Sequence, residues 1–291
     1  MQQINYIPHA EIDQQKWNRC IEEAANGLIY AYAWYLDAMC DEWDALVQNE
    51  YEAVMPLPRN SKYGVHYLYQ PYFCASLGVF AKTSPPLTMV EAFLKKIPKR
   101  YKYIDIYLNH QNLFSIADFP MTERVNYVLP LNRPYEEIAN DYRTNLKRNI
   151  KKAEQSGLLV KEDIELNEIL TLAGETMQRV SAISDEQLNR FRNVYEAARK
   201  YKQAELIGIY SATNQLLASA VFLFSHNRWY YILVGNHPNG KTLGASHYLI
   251  DRFISKHAGT ATLLDFEGSD IPSLAFFYSS FGAVEEKYSA V

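Results

Sequence analysis

Cysteine is scarce in this sequence: Cys20, Cys40 and Cys74 make up the whole complement in 291 residues. An odd count without C-x-x-C spacing or paired histidines gives neither a disulfide framework nor a zinc site, so no metal is expected and a reducing compartment fits. Long apolar runs are missing too, with nothing near the roughly 20 residues that span a bilayer. The opening MQQINYIPHAEID lacks the basic start and apolar stretch of a signal peptide. The expectation is a cytoplasmic chain with no membrane span. Nor is there an excess of positive charge. Lys and Arg number 29 against 33 Asp and Glu, a net charge of −4, which excludes a protein that coats nucleic acid with its whole surface but leaves room for a local basic patch.

Aromatic residues are plentiful: 23 Tyr, 13 Phe and 4 Trp. They serve equally as amphipathic packing on sheets or as the lining of a cleft. The length suits two domains of common size, and the periodicities describe two α/β units. In the first half, helices are expected at 11–25, 33–40 and 88–96, and strands at 45–47, 51–57, 65–70, 103–108 and 125–130, with Arg59-Asn60-Ser61-Lys62 as a hairpin loop. The string Leu131-Asn132-Arg133-Pro134 is the expected boundary, giving domains 1–133 and 134–291.

The second half starts with a polar helix over 135–155 that stops at Gly157. A short strand at 158–160 follows. Ile169, Leu172, Ala173, Met177 and Val180 then recur at helical spacing, as do Leu188, Phe191, Val194, Tyr195 and Ala198. Strands at 204–210, 216–224 and 228–234 are separated by connections short enough for an antiparallel meander. A glycine-containing loop over 235–244 leads into a helix carrying Leu249, Ile250, Phe253 and Ile254. A strand at 262–266, a helix at 271–278 and a strand at 283–288 complete the half. A meander followed by a strand–helix–strand crossover requires a mixed sheet covered by helices.

This element order is similar to that of the GNAT acyltransferases, and several strings carry the likeness. Lys241-Thr-Leu-Gly244-Ala-Ser246 resembles the coenzyme A loop of that superfamily, Gln/Arg-x-x-Gly-x-Gly/Ala, with Lys241 and Ser246 as departures. Ala275-Phe-Phe-Tyr278-Ser-Ser-Phe281-Gly282 resembles its late helix. Arg143-Thr-Asn-Leu-Lys147-Arg148-Asn-Ile-Lys151-Lys152-Ala153 and Asp265-Phe-Glu267-Gly268-Ser269 resemble strings of the Fem-type (FemAB-like) aminoacyltransferases. The resemblance implies a mixed-sheet α/β fold with two tandem GNAT-like acyl-CoA N-acyltransferase domains. It also implies transfer of an acyl or aminoacyl group from acyl-CoA or aminoacyl-tRNA to an amine, on a small-molecule or cell-wall (peptidoglycan or polysaccharide) precursor acceptor lying between the domains. No permanently bound cofactor is implied, and tRNA is an implied partner. The other function open to such a chain is a non-catalytic module that binds an anionic glycan, a nucleotide-sugar or tRNA.

The candidate residues follow. Lys241, Leu243, Gly244, Ala245 and Ser246 would seat a donor phosphate on a helix N-terminus, although the same residues read as an ordinary exposed connection. Arg148 and Lys152, an i, i+4 pair in a run of five cations, would hold an anionic group, against a solvated helix face. Asp265 and Glu267, expected on one face of a strand end, supply a base for the attacking amine, or cap the helix near Pro272. Tyr278 would protonate the leaving group, and Tyr231 would contact substrate. Histidines 226, 237, 247 and 257 show no ligand spacing.

Overall fold

The computed structural model describes residues 3–116, 118–177, 183–268 and 270–291. Val180 and Ser269, which belong to two of the sequence patterns, lie outside the described residues. The chain divides into two compact units. One comprises Met1–Val125 with Glu286–Val291, the other Asn126–Glu285.

The first unit contains β1 (Ile4–Ile7), α1 (Gln14–Glu23), α2 (Ala33–Met39), β2 (Glu42–Gln48), β3 (Ala53–Lys62), β4 (Val65–Leu68), β5 (Phe80–Ala81), α3 (Leu87–Lys96), β6 (Tyr101–Ile104) and β7 (Tyr107–Leu108). Its sheet runs β1-β2-β3-β4-β6, with β5 paired to β3. The β4–β6 pair is parallel. Asp13 caps α1 by accepting the N–H groups of Gln15 and Lys16 at 3.1 Å, and α3 buries Val90, Phe93 and Leu94 in a core with Leu46, Met55 and Leu57. The hairpin loop differs from the sequence expectation. Residues 59–62 extend β3, and the turn is Tyr63-Gly64, both left-handed with φ of 52° and 77°. A two-residue hairpin whose twist matches its strands needs positive φ at both positions.

Two strands, β8 (Thr122–Pro130) and later β14, run from one unit into the other. The second unit continues with α4 (Tyr135–Asn140), α5 (Thr144–Gln155), β9 (Leu159–Glu162), α6 (Leu166–Met177), α7 (Asp185–Lys200), β10 (Ala204–Tyr210), β11 (Leu216–Ser225), β12 (Arg228–Asn236), α8 (Pro238–Leu243), α9 (Ala245–His257), β13 (Leu263–Asp265), α10 (Pro272–Ser279) and β14 (Val284–Ala290). Its strands order as β14-β8-β13-β12-β11-β10-β9. The expected meander β10–β11–β12 is antiparallel, and β12–α9–β13 is the parallel crossover. Ser184 and Gln187 close a reciprocal cap on α7. Phe253 of α9 stacks on Phe222 of β11 at 3.7 Å between ring centroids, while α6 covers the other face through Leu172.

Two segments depart from the sequence reading. The helix expected over 135–155 breaks between α4 and α5, where the Arg143 N–H donates to the Ser280 carbonyl at 3.0 Å. The expected loop over 235–244 is mostly regular structure: Gly235 belongs to β12, and Pro238 opens α8 after the His237 cap. Its glycines answer to packing. A Cβ on Gly235 would come within 2.8 Å of Leu172 and Ser219, and one on Gly240 within 2.3 Å of the Leu217 carbonyl oxygen. Gly244 joins α8 to α9 at φ 76°, and its missing Cβ would lie 2.6 Å from the Asn149 carbonyl oxygen of α5. Both the left-handed conformation and the contact disfavour any side chain there. Gly244→Ala is therefore expected to lower unfolding free energy by about 2–4 kcal/mol, read as an earlier urea midpoint at unchanged slope. A loss under about 1 kcal/mol would show that α5 does not rest on this junction.

Candidate active site

Strands β12 and β13 run side by side for a short distance only. Arg228, Trp229 and Tyr230 lie opposite Leu263, Leu264 and Asp265; there β13 ends, while β12 continues to Asn236. Past Tyr230, no strand pairs with β12 on this side among the described residues. At the same level β12 carries a bulge. Leu233 pairs with Val221 and Tyr231 with Phe222, which leaves Ile232 as the extra residue. A bulge bends and twists its strand, so the two parallel neighbours part and alternate backbone groups of β12 face an open fork.

Aromatic rings flank the fork. Tyr231 meets Phe266 edge-on at 6.1 Å, and Phe266 stacks on Tyr278 at 4.7 Å. Burial pushes the Tyr278 hydroxyl up from its ordinary pKa, and the carboxylates of Glu267 and Asp265 add to the effect. Tyr231 is raised by burial and then by Tyr278. Four of the sequence candidates, Tyr231, Asp265, Glu267 and Tyr278, thus gather at one place. The Tyr278 hydroxyl makes no hydrogen bond among the described residues, so its proton is available to a ligand.

The two carboxylates have different surroundings. Asp265 is buried and its oxygens are engaged: Oδ2 receives Arg228 Nη1 at 2.6 Å, and Oδ1 receives Asn126 Nδ2 and the Glu267 N–H, both at 2.8 Å. Asn126 Oδ1 in turn accepts the Tyr127 N–H at 2.7 Å and the Gly268 N–H at 2.5 Å. These bonds tie a sharp turn in which Glu267 and Gly268 are left-handed, with φ of 66° and 87°. The expectation that Asp265 and Glu267 share one strand face is corrected by this turn, since the strand stops at Asp265. Asp265 builds the turn, and Glu267 lies half-buried at its apex. Asn126 and Arg228 were not among the sequence candidates; their partner lies 139 and 37 residues away along the chain, beyond any local pattern.

The donor-loop residues lie together at the start of α9. Lys241 is exposed, Leu243 half-buried, and Gly244 and Ala245 buried. The Ser246 hydroxyl donates to Asn236 Oδ1. Just beyond, His247 Nε2 sits 3.3 Å from Asn149 Nδ2, and burial pushes its pKa down to about 4, so the imidazole is neutral near pH 7. The α5 backbone carbonyl against Gly244 brings partial negative charge to the place where the sequence pattern would seat a phosphate. On α5 itself Leu146, Ile150 and Ala153 are buried, while Arg148, Lys151 and Lys152 are exposed and their side chains form no ion pair or hydrogen bond among the described residues. Arg148 and Lys152 share one outer face, apart from the Glu267 turn. No group of three His, Cys, Asp or Glu side chains gathers as a metal site among the described residues.

Residues 140–268, which hold this fork, match the family model described as the acetyltransferase (GNAT) domain. Over those residues the chain is similar to the GNAT domain. Over its whole length it has the fold of tandem GNAT proteins. FemX is similar at a TM-score of 0.67 and 14% identity, covering 98% of this chain and 96% of that one. The tandem GNAT protein from the clavulanic acid biosynthesis pathway matches at 0.55 and 10%, covering 99% and 97%. L-PGS from Bacillus licheniformis matches at 0.52 and 9%, covering 85% and 83%. At these identities the likeness is one of fold. No curated protein sequence matches the chain.

The division of labour between the carboxylates gives a stability test. Removing Asp265 takes its carboxylate from the buried Arg228 and its hydrogen bonds from Asn126 and the Glu267 N–H, so Asp265→Ala is expected to cost about 3–5 kcal/mol of unfolding free energy. Glu267→Gln, at the half-open turn apex, should cost no more than about 1 kcal/mol. Equal losses in chemical denaturation would contradict the separation of roles.

Proposed function

We propose that the GNAT domain transfers an acyl or aminoacyl group from a carrier to an amine, with the reacting carbonyl held in the fork between β12 and β13. The fork itself carries this reading: an open strand edge, an aromatic wall and a carboxylate at its end are the parts such a transfer needs. Unpaired amide groups along an extended strand suit an extended, amide-bearing donor or acceptor, which would complete the ladder. Holding both reactants there supplies much of the rate through proximity.

The acceptor nitrogen attacks the donor carbonyl carbon and forms the new C–N bond. Its surplus proton passes to the Glu267 carboxylate. As the tetrahedral intermediate collapses, the bond to the carrier's oxygen or sulfur breaks, and Tyr278, kept protonated by its buried position, gives its proton to that atom. Tyr231 packs against the group being transferred. Asp265 acts through the turn it ties.

Of the two carriers, aminoacyl-tRNA is favoured over acyl-CoA. The Asn149 carbonyl against Gly244 opposes a pyrophosphate at α9, whereas the exposed cations of α5, including Arg148 and Lys152, offer an anionic carrier or acceptor a surface. A cell-wall precursor amine is the acceptor class that the Fem-type resemblance suggests, with residues 134–291 as the catalytic domain. In calorimetric titrations, aminoacyl-tRNA is expected to bind more tightly than acetyl-CoA, whose dissociation constant should be on the order of hundreds of micromolar, about −5 kcal/mol. Tyr278→Phe should keep donor binding and slow transfer to the amine of a UDP-linked muropeptide by roughly 10²-fold or more. Binding without transfer in the wild type would favour the non-catalytic module. No binding of either donor at millimolar concentration would remove the acyltransferase reading.

A further inference from the structure

The surface of the GNAT domain has a feature that acyl transfer does not account for. The start of α10 is exposed although it is apolar: Ile271 keeps 57% of its surface, Leu274 39% and Phe276 53%. Three large apolar side chains are exposed within six residues, Ile271 and Leu274 one turn apart and Phe276 on the opposite side toward Arg143, so the apolar surface wraps the open end of the helix. Beside it lies the basic helix. Arg143, at the N-terminus of α5, places its guanidinium 4.7 Å from the centre of the Phe276 ring, and its N–H bonds the Ser280 carbonyl at the end of α10. The two helices also meet the same histidine, since Asn149 of α5 approaches His247 Nε2 and Phe277 of α10 packs on its ring at 4.8 Å.

Along α5, Arg143, Lys147, Arg148, Lys151 and Lys152 are all exposed in a chain whose net charge is −4. Positive charge is therefore concentrated on one side of a protein that is otherwise acidic, and its field is directional. The side chains of Arg148, Lys151 and Lys152 have no ion-pair partner among the described residues, which leaves their charge open to an anionic surface.

We propose that α10 and α5 together form a docking face for an anionic lipid surface, with Ile271, Leu274 and Phe276 entering the boundary between headgroups and acyl chains and the α5 cations lying over the headgroups. Apolar insertion combined with basic attraction is the combination by which a peripheral face holds to such a surface. A nucleic acid would use the same cations, as the acyl-transfer reading has aminoacyl-tRNA do, and would find Phe276 and Arg143 to stack on, but it leaves aliphatic Ile271 and Leu274 exposed. Lipid uses both halves of the face. The proposal shares only the α5 cations with the acyl-transfer reading and does not depend on it.

Co-sedimentation with phosphatidylcholine vesicles, with and without phosphatidylglycerol, tests it. The full chain is expected to sediment with the anionic vesicles, weakly or not at all with phosphatidylcholine alone, and less as salt rises. Replacing Arg148, Lys151 and Lys152 together by Ser should lower partitioning by roughly a hundredfold or more. Leu274→Ser with Phe276→Ser should lower it by roughly tenfold or more at constant charge. As a second readout, Phe276→Trp should show a blue-shifted emission on anionic vesicles. Three results would overturn the proposal: no sedimentation with anionic vesicles, loss in the charge variant with none in the apolar variant and no Trp shift, or deacylated tRNA binding through these cations while vesicles are ignored.

Discussion

A parallel pair of strands in the middle of a sheet ordinarily stays paired along its length, and the second unit depends on this pair coming apart at one level without unravelling. Asp265 makes that feasible. It ends β13 at the last paired level, opposite Tyr230, reaches back to the buried Arg228 two residues earlier on β12, and binds Asn126 of β8 on the other side. Three strands are thereby pinned by one carboxylate at the root of the fork. Buried charges are costly when left without partners, so the arrangement holds or fails as a set. Beyond the pin, the Ile232 bulge turns β12 away, and the left-handed Glu267-Gly268 turn carries the chain out of the sheet.

The same pin sets the electrostatics of the site. Glu267 projects from a turn whose backbone N–H groups are already taken by Asp265 and Asn126, while Tyr278 is held on the other side by stacking on Phe266. Burial keeps the Tyr278 proton in place, and the nearby negative charge strengthens that hold. In the proposed transfer Tyr278 would give up a proton and Glu267 would take one, a pairing that proton transfer in both directions requires. His247, neutral because it is buried, takes no charged role in this scheme.

Much of the second unit was legible in the sequence, because its meander strands are continuous apolar runs and the connections between them are short and polar. The limits of β10 coincide with the expected strand, and those of β11 and β12 extend it by one or two residues. Glycine misled in two ways. Gly235 and Gly240 suggested a loose phosphate loop, yet each is small because a neighbouring strand or helix passes too close for a side chain. Conversely, the Tyr63-Gly64 turn was hidden by the polar residues that precede it, which belong to the strand. At the site, Glu267 and Tyr278 could be picked out by local likeness. The role of Asp265 could not, since it depends on Asn126 and Arg228, brought in only by the order of the strands. The break between α4 and α5 was equally silent, because its cause is a carbonyl on α10.

The central claim is that the reacting group lies in the fork between β12 and β13. Amide hydrogen exchange, followed peptide by peptide with and without a saturating donor, addresses it most directly. The account predicts slowed exchange in the peptides covering 231–236, where β12 groups that face the fork gain a partner. Saturated donor binding with exchange in those peptides unchanged, and protection confined to other parts of the chain, would contradict it.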